Sequence, residues 1–410
     1  MRLIPAAYLA SYLVSLLGNS VAAIALPLIV LQTTGSPLSA GAVAAATAVP
    51  AVLAGLFMGV VIDRVNRRTA SVVTDLVSAA SIAALPVVDL VTGLGVGWFV
   101  LFGALGSFGD VPGMTAREAL LPAVARYGGV GVERLVGLRE ALGAVALLVG
   151  PAAAGVLMAV FDGSTVLWIT AATSALAAAV TLLLPRVVGR VERGDDTTSS
   201  WAQVREGWHA LARSRFLVVL TALTLVSVFV LGAFQGLVLP VYFVAEDQPG
   251  RLGLVLTALA AGLLLGSGAY VAAARRIPRR VWLVVGLLGS CVGFGVMATL
   301  ASPWVVLGGA FVVGVFSGLF GSLLGVLTVE RVPDALRGRI TGTQNALVTA
   351  AGPLAIVVAA VLVEYAGVRE AAMLIAAVWL VAAAAAVPGR WLDLPVAADA
   401  TDLEDAHAQQ

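Results

Sequence analysis

"PRVVGRVERGDDTTSSWAQVREGWHALARSR" (Pro185–Arg215) is the longest polar interruption inside this 410-residue chain. The chain is 60% hydrophobic and only 11% charged, whereas soluble domains carry roughly 25% charged residues. Working outward from the interruption, apolar runs recur, each about as long as a helix that crosses the hydrocarbon core. Six precede it, at 5–30, 37–61, 69–91, 96–115, 137–160 and 164–184. Six follow it, at 216–244, 252–274, 281–300, 303–328, 340–363 and 369–388. Backbone groups in lipid must be satisfied internally, and runs of ~20 residues suit helices rather than the ~10-residue alternating strands of a barrel. The reading is an all-α integral membrane protein with twelve transmembrane helices in two six-helix pseudo-repeats. Residues 1–184 form one half and 216–388 the other. Segment 185–215 is a linker between them, and 389–410 is an acidic tail expected to be disordered. In the linker, Trp201, Val204, Trp208 and Leu211 fall at helical spacing among Arg205 and Arg213. That pattern fits an amphipathic helix on the membrane surface or a partly ordered connection.

Charge placement orients the bundle. The chain has 24 basic residues, all arginine. With a cytoplasmic N-terminus every arginine except Arg251 and Arg369 falls on the cytoplasmic side, as the positive-inside rule requires. Both termini and the linker are then cytoplasmic, in a multi-pass protein of the cell membrane. The N-terminal apolar run is too long for a signal-peptide core and reads as an uncleaved first span. A net charge of +1 offers no argument for nucleic acid. The single cysteine, Cys291, excludes an intrachain disulfide, and His209 and His407 provide no metal cluster. There is no Walker A loop, nucleophile elbow or zinc spacing, so neither an enzyme nor a cofactor is expected.

The two halves repeat each other. "REALLPAVARYGG" (Arg117–Gly129) followed by "GPAAAGVLMAVFDG" (Gly150–Gly163) parallels "VERVPDALRGRITG" (Val329–Gly342) followed by "GPLAIVVAAVLVEYAG" (Gly352–Gly367). Each copy has an acid (Glu118, Glu330), a proline (Pro122, Pro333), arginines and then Gly-Pro. Parallel six-helix repeats are a transporter signature, with the substrate site between the halves near the midplane.

"MGVVIDRVNRRTA" (Met58–Ala70) concentrates charge after the second span. Gly59 allows close helix approach. Asp63 can accept from a helix N-terminus or pair with an arginine, and Arg64, Arg67 and Arg68 meet the anionic leaflet. A positive-inside loop explains the arginines but not the Gly-x-x-x-Asp-Arg-x-x-Arg-Arg spacing, which reads as an inner-gate latch. This stretch resembles the loop between helices 2 and 3 of the major facilitator superfamily, with Asn66 in place of the usual glycine. "QTTGSPLSAG" (Gln32–Gly41) and "VPDALRGRITG" (Val332–Gly342) resemble its drug, macrolide and siderophore exporter branch. The resemblance implies the major facilitator fold. It also implies that Asp63 stabilises the outward-facing state, with Arg117, taken to follow the fourth helix, as its partner. The matching loop of the second half, "GAYVAAARRIPRR" (Gly268–Arg280), has no acid, so the latch is one-sided.

"ALLVGPAAAG" (Ala146–Gly155) in the fifth span resembles the family's antiporter motif through Gly150, Pro151 and Gly155, with Ala146 and Ala154 replacing glycines. Generic small-residue packing is the alternative. Ionisable groups inside spans are functional hypotheses by default, which makes Asp110 the first candidate for proton coupling and Asp75 and Glu140 the next. For the last two, structural pairs with arginines compete. Asn19, Gln235, Gln344 and Asn345 line the cavity or tie helices together. The resulting expectation is a monomeric, secondary active transporter driven by a proton gradient across the lipid bilayer, exporting a small amphiphilic compound. An importer or facilitator of a small solute, and a transporter-like sensor, are the alternatives.

Overall fold

A computed structural model describes residues 3–62, 65–190, 215–274, 276–331 and 334–386. Twelve helices follow one another: α1 (Leu3–Thr34), α2 (Pro37–Ile62), α3 (Arg67–Thr92), α4 (Val96–Gly128), α5 (Val132–Val160) and α6 (Gly163–Thr181), then a 3-10 turn at Arg186–Gly189. The second half begins with α7 (Arg215–Ala233), which runs through a π-helical turn (Phe234–Val238) into Leu239–Ala245. It continues with α8 (Arg251–Ala273), α9 (Arg279–Ala298), α10 (Pro303–Arg331), α11 (Asp334–Ala366) and α12 (Val368–Ala386). Eleven helices are long and apolar enough to cross a membrane among the described residues, and α2 is apolar over Pro37–Ala51. The amphipathic segment around Trp201 and the acidic tail lie outside the described residues.

Each of the twelve apolar runs corresponds to a helix, but several helices outlast their runs. The fourth run was expected to end at residue 115, yet α4 spans 33 residues to Gly128, about 50 Å at 1.5 Å per residue. Arg117, Glu118 and Arg126 end the apolar pattern without ending the helix, because backbone hydrogen bonding needs no lipid. What stops α4 is Gly129, at φ 64°, whose N–H bonds to the Ala125 carbonyl. Likewise α5 begins at Val132 rather than 137 and α11 at Asp334 rather than 340.

Within the first half, α3 packs on α4 and α6, α1 on α5 and α6, and α2 on α4. In the second, α10 packs on α8 and α9, and α7 on α11 and α12. Glycines bring the α8 and α10 backbones together: a Cβ on Gly262, Gly266, Gly314 or Gly318 would strike the opposing main chain. Lipid tails are as apolar as leucine, so close van der Waals contact holds such helices. Phe234, Phe294, Phe320 and Trp379 form a buried aromatic chain through the second half. The halves meet through α2–α11, α5–α8 and α1–α7. At the arginine-poor end, Gly41 abuts Ala360 and Gly155 abuts Gly253.

Candidate functional site

Asp63 and Arg64 lie outside the described residues, and Gly59 falls in the last turns of α2. The residues just beyond them form a staple. Asn66 caps α3, its Oδ1 accepting the Thr69 N–H at 3.2 Å, while its Nδ2 donates to the Arg186 carbonyl at 3.0 Å. Asparagine at this glycine position therefore supplies both a cap and a tie to the chain after α6. Arg67 and Arg68 were expected in the loop at the leaflet surface, but they form the first turn of α3. Arg68 is buried and donates from Nη2 to the Leu182 carbonyl at 2.7 Å. Arg67 donates from Nη1 to the Ala119 carbonyl at 3.0 Å. Both guanidiniums join α3 to α4 and α6 inside one half.

Arg117 corrects the sequence reading in a second way. It lies within α4, not after it, and its Nη2 donates to Asp75 Oδ2 of α3. Asp75 is 5% exposed and Arg117 4%, so this is a buried ion pair. The Tyr8 hydroxyl of α1 donates to the Arg117 carbonyl at 3.2 Å. One turn further along α3, Ser78 Oγ donates to Asp110 Oδ1 at 2.6 Å, and the Asp110 side chain is exposed. The α3–α4 approach depends on Gly109, where a Cβ would stand 2.6 Å from the Thr74 carbonyl, and on Gly113, 3.0 Å from Thr74 Oγ1. Two carboxylates, Asp75 and Asp110, thus share the α3–α4 interface with the guanidiniums of Arg117 and Arg67.

Glu140 is exposed at the surface of α5, where it accepts from Arg139 Nη2 at 2.9 Å. Arg139 also lies 3.7 Å from Glu118, and its guanidinium sits 5.6 Å from the Tyr12 ring centroid. The side-chain surroundings of Glu330, the acid that matches Glu118 in the second half, lie outside the described residues.

The α5 glycine motif packs in two directions. A Cβ on Gly150 would meet Ser20 Oγ of α1 at 2.7 Å, and one on Gly155 would meet Gly253 Cα of α8 at 2.8 Å. A Cβ on Gly253 would in turn collide with the Pro151 carbonyl. Thr257 Oγ1 of α8 donates across the same contact to the Leu148 carbonyl at 3.4 Å. Gly250 and Gly253 were not singled out from sequence, because glycine is frequent in this chain and only the packing shows which ones touch. Among the polar candidates, Gln344 Nε2 donates to Thr221 Oγ1 at 2.7 Å, tying α11 to α7. Asn19 and Gln235 are half-buried, the latter within the π-helical turn. Asn345 lies on α11, and its side-chain surroundings are not described. No group of three metal-binding side chains occurs among the described residues.

Two six-helix halves, with charged and polar groups held between apolar spans, define a multi-pass membrane transporter rather than an enzyme. The chain belongs to the Major Facilitator Superfamily, whose sequence profile matches residues 8–248 and 225–409. It is 32% identical over 356 residues to the Multidrug efflux pump Tap of Mycolicibacterium fortuitum, covering 86% of this chain and 87% of that protein. Macrolide efflux protein A of Streptococcus pyogenes is 20% identical over 368 residues, covering 87% and 88%. The nucleoside transporter NupG shares the fold, with a TM-score of 0.74 at 14% identity over 96% of this chain and 100% of that one.

Proposed function

We propose that this protein exports small amphiphilic compounds by alternating access, driven by proton entry. The observation that carries the coupling is the placement of Asp110 at the α3–α4 interface. Arg117 is committed to Asp75, which leaves Asp110 with a serine hydroxyl as its polar partner. Asp110 lies within electrostatic reach of both members of the pair. It stands about 14 residues, or ~21 Å, along α4 from Val96, inside a hydrocarbon layer ~30 Å thick. An acid at that depth persists when it is protonated, paired or solvated, and reversible protonation gives it a use that packing does not. The outward direction is supported by the efflux relatives and by the glycine motif of α5. The arginine distribution supports cytoplasmic termini and a cytoplasmic 185–215 linker. Gly59, Asp63 and Arg64 act as the one-sided latch at that face. Arg117, its expected partner, lies within α4 and donates to Asp75. The substrate path runs between the halves past Asn19 and Gln235, and a single chain suffices for it.

The test is Asp110→Asn, which fixes the neutral form. In proteoliposomes with an imposed pH gradient, ethidium export by this variant should fall to the background rate while ethidium binding persists. Export that still responds to the gradient as wild type does would remove Asp110 from the mechanism.

A further inference from the structure

Arg139 occupies a setting that suits a ligand better than a structural arginine. Its guanidinium lies on the face of Tyr12, 5.6 Å from the ring centroid. Two carboxylates flank it, Glu140 at 2.9 Å and Glu118 at 3.7 Å. Tyr8 approaches the same group from the helix turn before Tyr12. An aromatic face closed by carboxylates is the arrangement that holds organic cations. Here it holds the protein's own.

Exposure, satisfaction and location all bear on its use. Glu118 and Glu140 are 57% and 65% exposed while Arg139 is only 19% exposed, so the anions are open to a newcomer and the cation is not. Arg139 Nε is buried with no hydrogen-bond partner among the described residues, so the site satisfies arginine incompletely. Ion pairs this exposed contribute little to stability, and exchanging their cation costs little. The location is the arginine-rich boundary of the membrane. Tyr12, Glu118 and Arg139 each stand about 21–22 residues, roughly 32 Å, from the arginine-poor end of their helices. That is the far boundary of a hydrocarbon layer ~30 Å thick. Glu118 lies about 180° around α4 from Gly109, which faces α3, and Tyr12 about 120° around α1 from Gly18, which faces Thr173 of α6. Both therefore turn away from α3 and α6. At that boundary the exposed carboxylates are within reach of water. Tyr12 also shares its helix face with Asn19, seven residues deeper.

We infer that Tyr12, Glu118 and Glu140 form an entry site for amphiphilic organic cations, with Arg139 as an internal stand-in that the arriving cation displaces. The site carries two anionic groups against one cation, so it attracts positive charge even while filled. An organic cation replaces the guanidinium on the ring and between the carboxylates, and then passes along the α1 face toward Asn19. This inference rests on the export reading.

Tetraphenylphosphonium serves as the cationic probe and chloramphenicol as the neutral one, with binding to purified protein and export from proteoliposomes both measured. In Glu118→Gln/Glu140→Gln, the ratio of tetraphenylphosphonium to chloramphenicol export should fall about tenfold, the effect of losing roughly one favourable charge contact. Arg139→Gln should do the opposite and bind tetraphenylphosphonium more tightly, because the competitor is gone. Glu140→Asp keeps the charge and should keep most of the ratio, and melting temperatures would identify any variant that has lost its fold. A scaffold role predicts weaker binding in every variant, so weaker tetraphenylphosphonium binding by Arg139→Gln overturns the inference. An unchanged ratio in the double variant overturns it as well, while leaving the export reading intact. If the wild type exports neither probe, it is the export reading that fails.

Discussion

Asp75 shows what a single residue in this chain can and cannot reveal. An acid eight residues into an apolar helix is visible in the sequence, but its partner is not, because Arg117 lies 42 positions away on α4. Burial decides the consequence. Asp75→Asn leaves the guanidinium of Arg117 uncompensated and should destabilise the protein by about 3–5 kcal/mol. Thermal unfolding of the detergent-solubilised variant measures this, and Asp75→Asn with Arg117→Met should recover much of the loss. At the opposite end, Asp162 caps α6, accepting from Thr165 Oγ1 at 2.7 Å and from its N–H at 3.1 Å. Those hydrogen bonds favour the carboxylate and hold Asp162 below the usual aspartate range. A depressed native value means that the cap stabilises above the unfolded-state value and loses its effect as pH falls through the native one. The melting-temperature difference between wild type and Asp162→Ala should therefore be present at neutral pH and shrink in acid.

Among the elements, the α5–α8 contact brings the backbones of the two halves together. Gly155 and Gly253 bring two backbones to a separation that no side chain tolerates, and Gly250 meets the Cβ of Ala159 in the same way. This contact lies at the arginine-poor end, and the alternating access proposed above would require it to part. Gly253→Leu should push α5 and α8 apart, with a cost of about 1–3 kcal/mol in the closed arrangement. Spin-label distances between the arginine-poor ends of α5 and α8 should lengthen. An unchanged distance distribution would mean that the leucine is accommodated and that the contact is not a closure point. The α5 half of this contact was legible as a Gly-Pro motif. The α8 half was not, since a glycine spacing carries no record of what it faces. The same limit applies to the π-helical turn in α7. Pro240, which follows it, removes a backbone donor, but propensity alone does not say whether a helix breaks, bends or widens there.

For the whole molecule, the arginine distribution makes the most direct prediction. In a Cys291→Ser background, Ser199→Cys should react with a membrane-permeant thiol reagent in intact cells and resist an impermeant one. Impermeant labelling at that position would invert the proposed orientation and move the proposed Glu118–Glu140 site to the outer face.

The sequence by itself determined the number and order of the apolar helices and the doubling of a six-helix unit, and its arginines supply the proposed orientation. These follow from local rules: a run of ~20 apolar residues must cross the bilayer as a helix, and charge bias acts on each loop separately. It also marked Asp75, Asp110 and the glycine motif as unusual, because each is costly or conspicuous in its own segment. Tertiary structure decided everything that depends on two segments meeting. It assigned Arg117 to Asp75 and Ser78 to Asp110, turned Arg67 and Arg68 inward as staples, and closed Tyr12, Glu118 and Glu140 around Arg139. The helix ends were decided there too, since α4 runs about 13 residues beyond its apolar stretch before Gly129 turns the chain. The physical reason is the range of the forces. Transfer from water to lipid is set residue by residue, whereas an ion pair or a backbone contact exists only where packing brings distant positions together.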